Sequence, residues 1–290
     1  MKKTSNANCL KFTALEYSKI FINASFAEVN LSYSYDKKVW SKIKFNKKTY
    51  TWGYSIWWEN DIIDIDKGKT LYLQGDNSFN IDHRIRFFMD GLIAAGGSIA
   101  AITNTPYCRG MFKDCEALVT APRLPFTKLV ENCYMDMFSN CWRLKAAPKL
   151  PAMKLVKYCY VRMFGQCLTI KVVPQLPALQ LAEGCYAYMF WDCDSLRKAP
   201  KLPATKLAKD CYRGMLHSCH KLKVASELPA MWLKVGCYAY MFWDCDSLRK
   251  APKLPATKLA EGCYRAMFRG DKNLVIPPKL PATVLKKGCY

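Results

Sequence analysis

A motif of 26 residues recurs along the C-terminal two thirds of the chain and restricts the fold more than any other feature. The motif places a methionine at Met111, Met137, Met163, Met189, Met215, Met241 and Met267. A column of cysteines runs with the same period from Cys115 to Cys245, and Asp271 takes the next place. Self-similarity at this period is typical of chains that stack structural repeats, because one repeat alone cannot bury its apolar face.

Positions in the repeat are counted here from zero at Cys133 and its equivalents. Apolar residues fall at positions 0, 1, 4, 5, 8 and 11, a spacing that predicts an amphipathic helix of about three turns. The following stretch, Ala147–Pro151, has two prolines three residues apart, which excludes a helix and predicts a short extended segment. We therefore expect a solenoid of about seven repeats over residues 105–290, each with one helix and one extended segment. Because the chain stops at the opening of another repeat, Gly288–Tyr290, we expect further repeats or a partner at that end.

Residues 1–104 lack the repeat and have the pattern of short strands. Leu10–Leu15 alternates apolar and polar residues, and Leu31–Tyr35 and Val39–Ile43 flank a turn, which predicts a hairpin. Trp52, Trp57 and Trp58 are expected to cluster between strands. The sequence therefore predicts a small β-sandwich of about seven strands, with Gly91–Ile102 as the N-terminal cap of the repeats, and an α+β fold for the whole chain.

The chain is strongly basic, with a net charge of +21, and it is 51% hydrophobic, which excludes a disordered chain. The charge is concentrated in the repeats: residues 108–290 have 30 Lys and Arg against 13 Asp and Glu, hence +17. A basic surface favours a polyanion such as nucleic acid as partner. No apolar run is long enough to cross a membrane, so membrane insertion is not expected.

The fifteen cysteines are predicted to be free and buried. Two cysteines eight residues apart on one helix would lie about 12 Å apart along its axis, whereas a disulfide needs Cα atoms within about 7 Å. A row of reduced thiols fits a reducing compartment. No apolar stretch follows Lys2 and Lys3, so we expect a cytoplasmic or virion location, or a surface location if a leader has been removed.

No motif in the chain indicates catalysis, a cofactor or a resident metal. His217-Ser218-Cys219-His220 occurs in one repeat only, and the pair Asp192 and Asp194 fits a solvated face better than a cation site. The sequence has no phosphate-binding glycine loop and no recognisable nucleophile with its base. The chain is therefore predicted not to be an enzyme.

Variable positions of the repeat are the candidate binding residues, since Trp, Tyr and Arg are common in binding hot spots. The candidates on the predicted helices are Trp142, Tyr188, Trp191, Arg213, Tyr240, Trp243 and Arg265. A second set, predicted to form one basic strip beside the Leu-Pro pairs, comprises Lys149, Lys201, Lys206, Lys253 and Lys258. The alternative for the first set is neutral variation on solvated helix faces, and the alternative for the lysines is that spaced charges keep the chain soluble and block edge pairing.

The repeats resemble the BspA-like leucine-rich repeats of bacterial surface proteins and of some phage proteins. The similarity is carried by Met189–Leu196, by Leu202–Ala208 and by the N-terminal Leu10–Glu16. The resemblance implies a leucine-rich solenoid and adhesion or another protein contact. We therefore expect a scaffold that binds a protein or glycan, as an adhesin, receptor-binding or structural element of a bacterial surface or virion. The alternative is an intracellular basic array that binds nucleic acid or another polyanion.

Overall fold

The computed structural model describes residues 9–49 and 56–290. Its strands are β1 (Leu10–Ala14), β2 (Ser18–Ala24), β3 (Leu31–Ser34), β4 (Ser41–Lys42), β5 (Asn46–Thr49), β6 (Ile56–Glu59), β7 (Ile63–Ile65), β8 (Thr70–Gly75), β9 (Ile85–Asp90), β10 (Ile93–Gly96) and β11 (Leu118–Thr120). A single turn of 3-10 helix spans Ile99–Ala101. The predicted cluster of Trp52, Trp57 and Trp58 lies outside the described side chains.

The N-terminal strands form two sheets that contact each other. One sheet has the order β11-β10-β1-β8-β3-β4, and the other has the order β5-β6-β2-β7, with β9 also paired to β2. Strands β3 and β4 pair in antiparallel fashion across the predicted turn, with Tyr33 opposite Ser41. The sheets meet at Phe12 of β1 and Phe87 of β9, whose ring centroids are 5.3 Å apart. Both rings are buried, so this contact belongs to the core.

The predicted helix in each repeat is wrong, and so is the α+β fold class. Within the ranges described, residues 105–290 contain no α-helix, and the repeats are built from consecutive turns and extended segments. The leucine-rich solenoid with one helix per repeat, which the family resemblance implied, is therefore overturned as well. The period of 26 residues still describes the stack, because residues 26 apart lie next to each other in successive repeats.

Backbone hydrogen bonds show why the chain forms turns here. The N–H of Tyr134 donates to the carbonyl of Cys159 in the next repeat at 2.9 Å, whereas the N–H of Met137 donates three residues back to Tyr134 at 3.2 Å. These two directions alternate along the segment, while an α-helix would direct every N–H four residues back. Every fourth residue has a positive φ, as at Asp136 (56°) and Asn140 (62°), a conformation that Asn, Asp and Gly tolerate best.

Side chains of the apolar positions form continuous ladders inside the stack. The tyrosines at position 1 stack from Tyr134 to Tyr290 with ring centroids 5.7–5.9 Å apart. The position 5 column holds stacked phenylalanines and is interrupted by Leu216. Offset-stacked aromatic pairs contribute about 0.5–1.5 kcal/mol each beyond the burial of their area. The predicted core columns are buried, as expected for residues that face the neighbouring repeat.

The N-terminal sheets continue into the first repeat. Strand β10 pairs in parallel with β11, and the N–H of Phe87 donates to the carbonyl of Met111 at 2.8 Å. The rings of Phe87 and Phe112 stack at 4.9 Å, which starts the phenylalanine ladder. The segment Gly91–Ile102 thus lies against the first repeat and covers apolar groups at that end of the stack.

Candidate functional site

The aromatic and arginine side chains at positions 2, 3 and 6 of the repeat are partly or fully exposed, whereas small residues there, such as Ser139 and Ala239, are buried. Each repeat has a turn segment, positions −1 to 10, followed by a Leu-Pro segment, positions 11 to 24. Because repeats stack in register, residues at one position form a column on the surface. The turn segments therefore present columns of side chains, and the identity of each column member determines the local chemistry.

One cluster on the turn segments, here called the aromatic–arginine patch, joins four repeats. Its members are Tyr188, Trp191, Arg213, His217, Tyr240, Trp243 and Arg269. The ring of Trp243 lies 5.4 Å from Tyr240 and 5.2 Å from His217. The His217 ring is also 6.4 Å from Tyr188, which extends the cluster by one repeat. Trp191 belongs to the patch by register, because it shares position 6 with His217 of the next repeat and with Trp243 of the one after.

Arginine guanidinium groups lie over the rings of this patch. Arg213 is 4.8 Å from the Tyr240 ring centroid, and Arg269 is 4.8 Å from that of Trp243. Such cation–π contacts contribute about 0.5–1 kcal/mol at exposed sites. Arg213 also pairs with Asp210 at 3.1 Å, which restricts its position further. The arginines are thus held in place before any partner arrives, which lowers the entropic cost of binding.

The missing side chain of Gly214 makes room for Tyr188 of the patch. A Cβ at Gly214 would lie 2.2 Å from Cε1 of Tyr188, so the tyrosine ring lies directly over this glycine. A Cβ at Gly165 would lie 3.5 Å from the ring of Trp191, which is ordinary van der Waals contact, so the position of Trp191 does not require this glycine. Tyr188, Trp191 and Trp243 are all half-buried.

Trp142 and Arg265 lie outside this cluster. Trp142 is 44% exposed in the second repeat, and among the described residues its ring contacts no other aromatic ring. Arg265 is exposed in the last full repeat and shares the column of Arg213. Conversely, His217 and Arg269 were not among the predicted binding residues. The period of 26 residues could have identified them, because it places both in the column of Trp191 and Trp243.

The predicted lysines form columns on the Leu-Pro segments. Lys149, Lys201 and Lys253 are exposed at position 16, and Lys206 and Lys258 are exposed at position 21. Within the described chain, none of these five has a carboxylate within 4.0 Å. Lys258 instead lies over the ring of Trp232 at 4.8 Å. The lysines therefore keep their charge available to solvent.

Charge is divided unequally between the two kinds of segment. The seven turn segments carry nine Lys and Arg and nine Asp and Glu, which cancel. The Leu-Pro segments carry 21 Lys and Arg and four Asp and Glu, which gives +17. All of the net charge of the repeats thus arises from one of the two segment types, and the aromatic–arginine patch lies on the neutral one.

All fifteen cysteines are free. Fourteen are buried, and Cys9 is half-exposed. At position 8 they donate Sγ–H groups to carbonyls of the preceding repeat, as from Cys141 to Phe112 at 3.0 Å. Burial raises the pKa of Cys133 and Cys219 to about 12, so both are thiols at neutral pH. A buried thiol is a poor nucleophile and a poor metal ligand, and these residues serve the core.

Among the residues described, no three His, Cys, Asp or Glu side chains are gathered closely enough to hold a metal ion. The same part of the chain contains no helix of the length and apolarity needed to cross a bilayer. Comparisons of the chain with protein-family models, curated proteins and solved structures found no match. The resemblance to BspA-like proteins stays a prediction.

Proposed function

We propose that the chain is a non-catalytic scaffold that binds a protein partner through the aromatic–arginine patch, as an adhesin, receptor-binding or structural element does. The observation that carries this proposal is the contact of Tyr188, His217, Tyr240 and Trp243 in one half-exposed cluster. Trp, Tyr and Arg dominate protein-binding hot spots, and they act most strongly where they are held in place. The neutral charge balance of the turn segments favours a protein over a polyanion at this face.

The test compares two tryptophan variants of the same chain. Trp243→Ala removes the centre of the patch, whereas Trp232→Ala removes a 65% exposed tryptophan from a Leu-Pro segment. Partners captured from extracts of the native source are quantified, and each candidate is then purified and its affinity measured. Trp243→Ala should weaken binding at least tenfold, since hot-spot truncations cost about 2 kcal/mol or more, and Trp232→Ala should not. Equal affinities for the two variants would contradict the proposal.

A second candidate function is polyanion binding by the Leu-Pro segments, and the charge imbalance of +17 favours it. Here the exposed lysine columns would bind the phosphates of a nucleic acid and displace its counterions. Replacing Lys149, Lys201 and Lys253 together with Gln should reduce the slope of log affinity against log salt by about 0.7 for each phosphate of a single strand that the variant no longer binds. The control replaces three exposed lysines of the N-terminal region, Lys42, Lys67 and Lys69.

The probe is a single-stranded oligonucleotide, measured by fluorescence anisotropy at several salt concentrations. Binding that the lysine variant leaves unchanged, or that the control triple variant weakens equally, would reject this second function. It would leave the patch proposal intact, because Trp243 lies on the neutral turn segments.

A further inference from the structure

One repeat departs from the others at two adjacent positions of its Leu-Pro segment. Six repeats have proline at position 15: Pro122, Pro148, Pro174, Pro200, Pro252 and Pro278. The fifth repeat has Ser226 there instead. At the next position, where lysine or arginine prevails, the fifth repeat has Glu227.

Ser226 brings two hydrogen-bond donors to a column that otherwise has none, because proline lacks a backbone N–H. The residue is 3% exposed, and its Oγ has no hydrogen-bond partner in the described structure. Its backbone N–H is also without a partner among the described residues. Buried polar groups are almost always satisfied, so an unpaired donor pair calls for a partner that the chain itself does not provide.

Ser226 lines a groove of about 600 Å³ between the fifth and sixth repeats. Apolar walls are formed by Val224, Ala225, Leu228, Ala251 and Pro252. The volume is within the range of sites for small ligands, which bury an apolar body and fix it with a few polar groups.

The charged residues of the groove have a net positive charge. Lys223, Lys250 and Lys253 line it together with Glu227, which leaves an excess of two positive charges. Within the described chain, none of these four residues is in an ion pair. The groove therefore attracts an anion, and Glu227 limits how much negative charge it accepts.

We propose that this groove binds a carboxylate carried on a small apolar body, with Ser226 as its anchor. The N–H and O–H of Ser226 donate to the carboxylate oxygens, and the lysines add electrostatic attraction. The apolar walls bury the body of the ligand. The free acid of a small organic molecule and the C-terminal carboxylate of a peptide share this chemistry. The proposal does not depend on the aromatic–arginine patch, which lies on the turn segments.

The chain contains its own comparison site. A groove of about 650 Å³ lies at the start of the repeats, lined by Pro122 and Pro148 with Ala101, Ala121 and Lys149. It has similar apolar walls but prolines at position 15, and its serine, Ser98, has an Oγ that already accepts the Ala100 N–H, whereas the Oγ of Ser226 has no partner among the described residues. A ligand that needs the unpaired hydroxyl of Ser226 at position 15 distinguishes the two grooves.

The experiment uses the full chain and four probes: 3-phenylpropionate, its primary amide, a short apolar peptide with a free C-terminal carboxylate, and inorganic phosphate. Affinity is measured by calorimetry, and the site is located by amide chemical shifts. Either carboxylate should bind and shift residues 223–229 and 250–255, whereas the amide and phosphate should bind much more weakly. The tighter of the two carboxylates identifies the source of the ligand.

Ser226→Pro introduces the residue of the other six repeats and should therefore fold. It should lower the affinity at least tenfold, because it removes two charge-assisted hydrogen bonds. Ser226→Ala keeps the N–H and should have an intermediate effect, and Glu227→Gln should strengthen binding. Unchanged affinity in Ser226→Pro, equal shifts at the first groove, equal binding of phosphate, or no binding of either carboxylate would each overturn the proposal.

Discussion

The Oδ1 atom of Asp271 accepts a 2.7 Å hydrogen bond from the backbone N–H of Cys245, in a column where the six preceding repeats have a buried cysteine. Burial, with a smaller contribution from the nearby carboxylates of Asp244 and Asp246, raises the pKa of Asp271 to about 7, although the hydrogen bond from Cys245 lowers it. Its Oδ2 is buried without a hydrogen-bond partner. The last full repeat therefore contains a carboxyl group that is costly to ionise.

Replacing this carboxyl group should stabilise the chain. Asp271→Cys restores the column residue, whose Sγ–H would donate to the preceding repeat as Cys245 does to Leu216 at 3.2 Å. We expect a gain of about 1–3 kcal/mol, the usual cost of a buried unsatisfied polar group. As pH rises from about 4 to 7, the unfolded chain loses the proton before the folded chain does, so the gain should grow with pH. Denaturant unfolding at pH 4.5 and 8 measures it, and a gain that is larger at pH 4.5 would contradict the assignment.

The gap in the phenylalanine ladder is a second place where stability can be increased. Leu216 is fully buried between Phe190 and Phe242, and neighbouring rings elsewhere in the column stack at 5.5–5.7 Å. Leu216→Phe would complete two ring pairs, worth about 0.5–1.5 kcal/mol each. We expect a higher melting temperature, and Phe164→Leu, the reverse change, should lower it. A loss of stability in Leu216→Phe would show that the fifth repeat has closed around the smaller side chain.

The sequence predicted the stacking register and the core columns but not the backbone conformation. Apolar positions 0, 4 and 8 repeat every four residues, and a helix of 3.6 residues per turn drifts only about 40° over each interval. A stripe this short therefore fits both a helix and a series of four-residue turns. The signal that separates them is the enrichment of Gly, Asn and Asp at every fourth position, as in Asn132, Asp136 and Asn140.

The sequence could predict which columns form the candidate site, but not how far its side chains are buried. Tyr188, Trp191 and Trp243 were identified from their residue types, and the repeat register brings them close to one another. The partial burial of Tyr188 could not be foreseen, because it depends on a glycine, Gly214, at the same position of the next repeat. Ser226 was missed because a serine is ordinary by itself. It becomes significant only by comparison with the proline that the other six repeats have at this position.

The burial of the cysteines predicts a sharp difference between native and unfolded reactivity. Fourteen of the fifteen are buried, and Cys9 alone is half-exposed. A thiol reagent at pH 8 should modify Cys9 first, although its raised pKa slows the reaction, and leave the others largely unreacted. After unfolding without a reductant, all fifteen should react. Rapid native labelling of several cysteines would contradict the buried columns, and missing thiols after unfolding would indicate disulfides.

His217 should make the patch sensitive to acid. Burial lowers its pKa below the usual 6.5, with Asp244 and Asp192 acting in the opposite direction. The unfolded chain therefore takes up the proton first as pH falls below about 6.5, and the folded chain loses stability over that range. His217→Gln should remove this part of the pH dependence while retaining the turn. Melting temperatures from pH 7.5 to 5 measure the effect, and identical profiles for the two proteins would contradict it.

The energetic contribution of the contact between Tyr188 and Gly214 can be measured by comparing Gly214 with a glycine in the same column that lacks this contact. Gly110 and Gly214 occupy the same column with φ of 61° and 55°, but a Cβ at Gly110 would meet only Lys113 at 3.9 Å. Ala266 occupies this column at φ 49°, so the backbone accepts alanine there. Gly110→Ala should therefore lower the free energy of unfolding by about 1–2 kcal/mol or less, the usual penalty of the left-handed conformation.

Gly214→Ala should lower the free energy of unfolding by more than this, because the Tyr188 ring must leave its place. In the Tyr188→Ala background the excess cost of Gly214→Ala should disappear, as a double-mutant cycle by denaturant unfolding would show. An excess that survives there would mean that Tyr188 does not lie on Gly214, and that the patch is not seated as described.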